Sequence, residues 1–193
     1  MNFDQNAFVG KLIEKRSKLL SDFLREHGMT DPKSVEFRPL VGCVEGACFK
    51  NVETQVRCAG GKIEFGWVFW HFVDIAINTE AHAVWITPQG RRMDITPRSL
   101  RPERRVLFLP DSRVGIKRTY TCGYQTVLSA DETIRKIGAY QAELNRIIDE
   151  SFLGIGHKML IPRNTCREIA SRLGITPDLE EEIYEDRKMR FSF

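Results

Sequence analysis

The sequence predicts an α+β fold: a helix, then a mostly antiparallel sheet, then further helices. Three observations carry that prediction. Apolar residues recur at helical spacing at both ends of the chain. Aromatic and β-branched residues crowd the stretch from Lys62 to Ile77. A turn at Pro88-Gln89-Gly90 joins two strand-like runs. With 193 residues, 42% of them hydrophobic, the chain can pack as one domain. The expected organisation is a single domain over residues 1–193, of which 129–193 form a helical C-terminal extension.

Taken in order, Asp4 to His27 reads as an amphipathic helix, with Phe8, Leu12, Leu19, Leu20, Phe23 and Leu24 on one stripe and Gly28 as its stop. A loop with Pro32 and Pro39 follows. Cys48 to about Cys58 is a short helix, with Phe49, Val52 and Val56 at helical spacing and Gly60-Gly61 ending it. Lys62 to Ile77 is one long strand or two short ones. Glu80 to Thr87 and Arg91 to Thr96 form a hairpin. Val106 to Leu109 and Tyr124 to Leu128 are further strands. Asp131 to about Phe152 is a long amphipathic helix, with Ser129 or Asp131 as its N-cap. Asn164 to Leu173 is a shorter helix ended by Gly174, and the charged tail DLEEEIYEDRKMRFSF is partly helical.

Composition narrows the function classes. A formal net charge of +3 is too small to argue for nucleic acid by itself. The N-terminal residues are polar where a secretory leader is apolar. The most apolar run, Phe65 to Ile77, carries His71 and Asp74 and is too short and polar to span a bilayer. The expectation is a cytoplasmic protein that does not enter a membrane. Its cysteines number 5, an odd count that argues against a disulfide framework and for free thiols.

The hairpin places two of the candidate catalytic residues. Proline suits the first position of a type I turn, and glycine suits the left-handed third position of a three-residue hairpin loop. This loop sets Thr87 opposite Arg91, Val84 opposite Asp94 and His82 opposite Thr96. His82 and Asp94 then become diagonal neighbours on one face, roughly 7–8 Å apart at the backbone. An aspartate beside a histidine holds the imidazole in one tautomer and stabilises its protonated form. Cys48 opens the predicted helix directly after Gly46-Ala47. There the helix dipole favours a thiolate, and free backbone N–H groups can receive an oxyanion. A sheet packed on that helix would bring His82 to the thiol as its base.

The order Cys, His, Asp resembles the papain-like superfamily, and most of all its transglutaminase-like branch. The resemblance covers residues 48–97. It rests on Gly46-Ala47-Cys48 opening a helix, Gly60-Gly61 after it, and the block HAVWITPQGRRMDITP, with His82, Trp85, Gly90 and Asp94-Ile95-Thr96-Pro97 at the matching positions. It implies a papain-like core in which the nucleophile helix packs on the sheet. Cys48 would be the nucleophile, His82 the base and acid, and Asp94 the orienting group. The implied reaction is attack on an amide or ester carbonyl through a thioester, ending in hydrolysis or acyl transfer. The partner would be a peptide, a protein or another acyl or amide substrate, and no cofactor is implied. Many papain-like enzymes carry a Gln, Asn or Trp upstream of the cysteine, and Val35 to Ala47 offer none. That departure motivates the alternative of a catalytically inactive domain of the same fold that binds a protein or peptide.

Other signals weigh less. Cys43, Cys48 and Cys58 with His71 or His82 lack the paired spacing of a zinc knuckle. Cys122 and Cys166 read as structural, and Trp67 and Trp85 as core. The arginines 91, 92, 98, 101, 104 and 105 read as a solvated charged loop more readily than as a phosphate site. Residues 167–176 resemble half of a helix-turn-helix. The acidic stretch after them is wrong for a helix facing phosphates, so a nucleic-acid partner is not favoured.

Overall fold

The computed structural model describes residues 11–12, 17–98, 104–117, 123–150 and 161–190. The elements run β1 (Lys11–Leu12), α1 (Lys18–Glu26), β2 (Lys33–Phe37), α2 (Cys48–Ala59), β3 (Lys62–Phe72), β4 (Ala76–Ile86), β5 (Arg92–Asp94), β6 (Arg105–Pro110), α3 (Ser112–Lys117), β7 (Gln125–Val127), α4 (Glu132–Glu150), α5 (Arg163–Arg172) and α6 (Pro177–Arg190). This is an α+β protein. The chain divides into two compact units, Met1–Thr126 and Val127–Phe193.

In the first unit, β3 pairs with β6, β6 with β2, β2 with β5, β5 with β4, and β4 with β3 again. The five strands therefore close into a small barrel, to which β1 and β7 add at β3 and β4. Of the five pairings that close the barrel, only β2–β5 is parallel. Closure leaves no room for a side chain at Gly66. A Cβ there would strike the carbonyl of Leu109 and the ring of Phe108 on β6. Val35, Val68, Val84, Val106 and Phe108, drawn from four strands, form one apolar cluster. The opposite face of the hairpin, Ala83, Trp85, Met93 and Ile95, packs against Val52, Val56 and Phe49 of α2. Trp85 donates from Nε1 to the carbonyl of Gly60, 2.9 Å away, which ties the end of α2 to the sheet. Trp67 is buried in the core as well, with Nε1 donating to Asp111 at 3.0 Å.

Two expectations need correction. The N-terminal helix does not run from Asp4 to His27. It begins at Lys18, where Ser17 caps it by accepting from the Leu20 amide at 3.1 Å, while Lys11 and Leu12 pair with His71 and Trp70 as strand β1. Residues 4–10 and 13–16 of that predicted helix lie outside the described residues. The loop with Pro32 and Pro39 contains strand β2, which lies between β5 and β6. With only Val35 fully buried, its sequence alternates too briefly to announce a strand, and its pairing is entirely long-range. The run from Lys62 to Ile77 resolves into β3, a turn at residues 73–75 and the start of β4, with Asp74 at a positive φ of 58°.

The second unit is helical after residue 127. Asp131 caps α4, its Oδ1 accepting from the amides of Thr133 and Ile134 at 2.8 and 3.1 Å. Tyr140, Leu144, Cys166, Ile169, Ala170 and Ile175 form its core. The tail is helical through Arg190 as α6, and residues 191–193 lie outside the described residues, as does the expected end of α4 at Phe152.

Candidate active site

The turn sets the register as its residue chemistry predicts. Gly90 sits at φ 80°, and its amide donates to Thr87 at 2.8 Å while the Thr87 amide donates to Arg91 at 2.9 Å. Trp85 pairs with Met93 and Ile86 with Arg92. That register puts Val84 against Asp94 and His82 diagonal to it, on the same face as Val84 and opposite Ala83 and Trp85. The side chains of His82 and Asp94 are 1% and 0% exposed.

The two residues meet. His82 Nε2 and Asp94 Oδ1 lie 3.0 Å apart. Asp94 is also held by the Thr96 amide, which donates to Oδ1 at 3.2 Å, and by Arg98, whose Nη2 donates to Oδ2 at 2.8 Å. Burial alone would raise the Asp94 carboxyl. The charge and hydrogen bond of His82, joined by those of Arg98, override it and hold the group at about 2. Asp94 is therefore an acceptor, and Nε2 carries the proton between them.

His82 is the mirror case. Burial lowers the basicity of the ring. The Asp94 charge, the Cys48 charge and hydrogen bonds from both outweigh that and push the ring up to about 10. Cys48 is thus close enough to act on the ring. With Nε2 committed to Asp94, the nitrogen left for the thiol is Nδ1, which is buried and has no aligned hydrogen-bond partner. Cys48 is 6% exposed and opens α2. Its preceding residue, Ala47, supplies no side-chain cap. The first-turn amides of α2 have no intrahelical acceptor, as at any helix start.

The structure thus brings together all three residues that the sequence selects: Cys48, His82 and Asp94. Two others at the site were not selected. Asn51, buried one turn after Cys48, accepts from the Val44 amide at 3.0 Å and donates to the Val44 carbonyl at 2.7 Å and to Thr96 Oγ1 at 3.2 Å. It clamps the loop before α2 to the strand end after Asp94. A lone polar residue on a helix that otherwise shows an apolar stripe is the signal that marks it. Arg98 is the other. The i,i+4 spacing from Asp94 is its only sequence trace.

The arginine segment is largely satisfied internally. Arg91 pairs with Glu36, Arg92 grips Glu64 through two nitrogens, and Arg105 donates to Ser34, while Arg101 lies outside the described residues. No group of three or more His, Cys, Asp and Glu among the described residues is placed to hold a metal. Cys58 is exposed near the far end of α2, about 15 Å along the helix axis from Cys48, so these two cannot share an ion. Cys122 lies outside the described residues. No helix among the described residues is long and apolar enough to cross a membrane. Compared with protein-family models, curated proteins and solved structures, the chain matches none.

Proposed function

We propose that the protein is a cysteine-dependent hydrolase or acyltransferase acting on an amide or ester bond, with Cys48, His82 and Asp94 as its triad. The observation that carries this reading is the buried 3.0 Å contact of His82 Nε2 with Asp94, which leaves a buried, unpartnered Nδ1 on a ring that Cys48 acts on. In the first half-reaction sulfur attacks the carbonyl carbon, its proton already resident on Nδ1 of a ring that holds its proton to about 10. The imidazolium then gives that proton to the departing amine or alcohol, and a thioester remains. In the second half, water or an acceptor amine loses a proton to Nδ1 as it attacks the thioester, and the cysteine is released. Asp94 keeps Nε2 protonated throughout. The amides at the start of α2 are the nearest donors for the oxyanion, in place of the Gln, Asn or Trp absent upstream. The barrel with a helix opening on the nucleophile is compatible with a transglutaminase-like core of the papain-like type, and a peptide, a protein or another acyl donor is the substrate class.

A second reading, an inactive domain of that fold that binds a protein or peptide, draws on one observation. Cys48 is 6% exposed, and His82 and Asp94 less still. The experiment that separates the two is alkylation by iodoacetamide near pH 7 with peptide mapping. The active site predicts that Cys48 is modified at least about tenfold faster than the equally buried Cys166, and that a Cys48→Ser variant loses that fast phase. Equal rates at the two thiols favour the binding domain.

A further inference from the structure

Arg98 does more than complete an ion pair. Its side chain is 14% exposed, and its guanidinium lies 4.8 Å from the Trp70 ring centroid and 5.9 Å from that of Phe37. It is therefore fixed between β2 and β3, and its Nε is buried without a hydrogen-bond partner. Nη2 donates to Asp94 Oδ2 at 2.8 Å and stands 3.4 Å from His82 Nε2. That second distance brings a permanent cation against a nitrogen that already carries a proton for Asp94.

We propose that Arg98 is a positioning residue for the triad: it clamps the outer oxygen of Asp94 so that the inner one faces His82, and its charge limits how tightly the imidazole ring keeps its proton. Without such a limit, a buried histidine between an aspartate and a thiol holds its proton strongly and returns it poorly to a leaving group. The proposal rests on the reading of Cys48, His82 and Asp94 as a proton-transfer site. Among the described residues, the charged and titratable groups facing the ring are Asp94 from β5, Cys48 from α2 and Arg98 from the segment after β5. On β4 itself, Glu80 lies two residues away on the same face and is engaged by Trp70 Nε1 at 2.7 Å. Cys43, in the loop before α2, feels the charge of Asp94. Arg98 is the only fixed cation in that set.

The test is a titration of the His82 ring by 15N NMR in the full chain, in a Cys48→Ser background, where the ring titrates against Asp94 without the thiol. Arg98→Gln keeps a hydrogen-bond donor and removes the charge, and Arg98→Met removes both. Each should move the His82 midpoint upward by about one to three pH units, the span a unit charge gives at this range between bulk water and a partly buried site. Arg98→Lys should stay much closer to the parent. A purely structural role predicts the opposite sign, because a loosened site lets water in and lets the ring fall toward its ordinary value near 6.5. An unmoved or lowered midpoint in both neutral variants overturns the proposal. Since the titration does not depend on turnover or on Cys48 alkylation, its failure is distinct from failure of the hydrolase reading.

Discussion

The two units each gather a cysteine, a buried carboxylate and an arginine, and differ in the fourth group. In the barrel unit a cysteine, a histidine, a buried aspartate and an arginine stacked on Trp70 meet at Cys48, His82, Asp94 and Arg98. In the helical unit a cysteine, a tyrosine, a buried glutamate and an arginine stacked on Tyr184 meet at Cys166, Tyr140, Glu180 and Arg163. There Tyr140 donates to Glu180 at 3.1 Å, and the Arg163 guanidinium lies 4.0 Å from the Tyr184 centroid. The difference lies in the middle member. Burial, reinforced by the Cys166 and Glu180 charges, drives the Tyr140 hydroxyl far above its ordinary range, so it keeps its proton and serves only as a donor. An imidazole has a second nitrogen. His82 donates one hydrogen bond, from Nε2, to Asp94 and has Nδ1 left for the cysteine. A buried carboxylate with an arginine is a structural device in both places, and histidine between carboxylate and thiol makes one of them a candidate for chemistry.

The largest effect that separates the two clusters should come from the carboxylates. Asp94→Asn leaves Arg98 and His82 without their buried anion and should destabilise the first unit by about 3–5 kcal/mol. It should also slow Cys48 alkylation. Glu180→Gln leaves Arg163 with Glu181 and some access to water, so about 1–3 kcal/mol is expected, with Cys48 alkylation unchanged. Urea unfolding of both variants, read beside the alkylation rates, checks the pair. Equal losses of stability, or slowed alkylation in Glu180→Gln, would break the comparison.

A second measurement uses pH. The folded ring of His82 holds its proton to about 10 against an ordinary value of 6.5. Its contribution to stability is therefore fully present below about 6.5 and lost as pH rises toward 10. Asp94 is held at about 2 against 3.8, so its contribution is present above 3.8 and lost as pH falls toward 2. Thermal midpoints should decline on both sides of that window, and the alkaline decline should be shallower in His82→Gln. Tyr140, whose hydroxyl is raised above its ordinary range, adds no decline below that range.

The smallest effect belongs to Asn51, which makes three hydrogen bonds around the site and belongs to neither cluster. Asn51→Ala should cost about 1–3 kcal/mol by leaving the Val44 backbone groups unpaired. It should slow Cys48 alkylation without moving the His82 midpoint. A shifted midpoint would make Asn51 part of the electrostatics as well as of the scaffold.

Much of the site was legible because its geometry is local. Pro88 and Gly90 fix the hairpin loop, the loop fixes the register, and the register places His82 beside Asp94 on one face. Gly60-Gly61 ends α2 where the periodicity of Phe49, Val52 and Val56 runs out. The misses have a common cause. Strand β2 holds one fully buried residue and pairs with β5 and β6, both far off in sequence. Strand β1 is two residues long, and the helical periodicity of the sequence runs across it toward α1. Arg98 looked like one of several arginines, because nothing in its neighbourhood of the sequence says that Trp70 and Phe37 will close over it.

By itself, then, the amino-acid order determined the α+β class, the helix α2 that Cys48 opens and the pairing of His82 with Asp94, since turn chemistry and side-chain alternation act over a few residues. Tertiary structure alone decided that the sheet closes through β6 and the parallel β2–β5 contact, that Cys48 reaches the ring, and that a buried cation stands behind Asp94. Each of those depends on groups distant in sequence meeting in a low-dielectric interior, where pairing and proton affinity are set by neighbours in space.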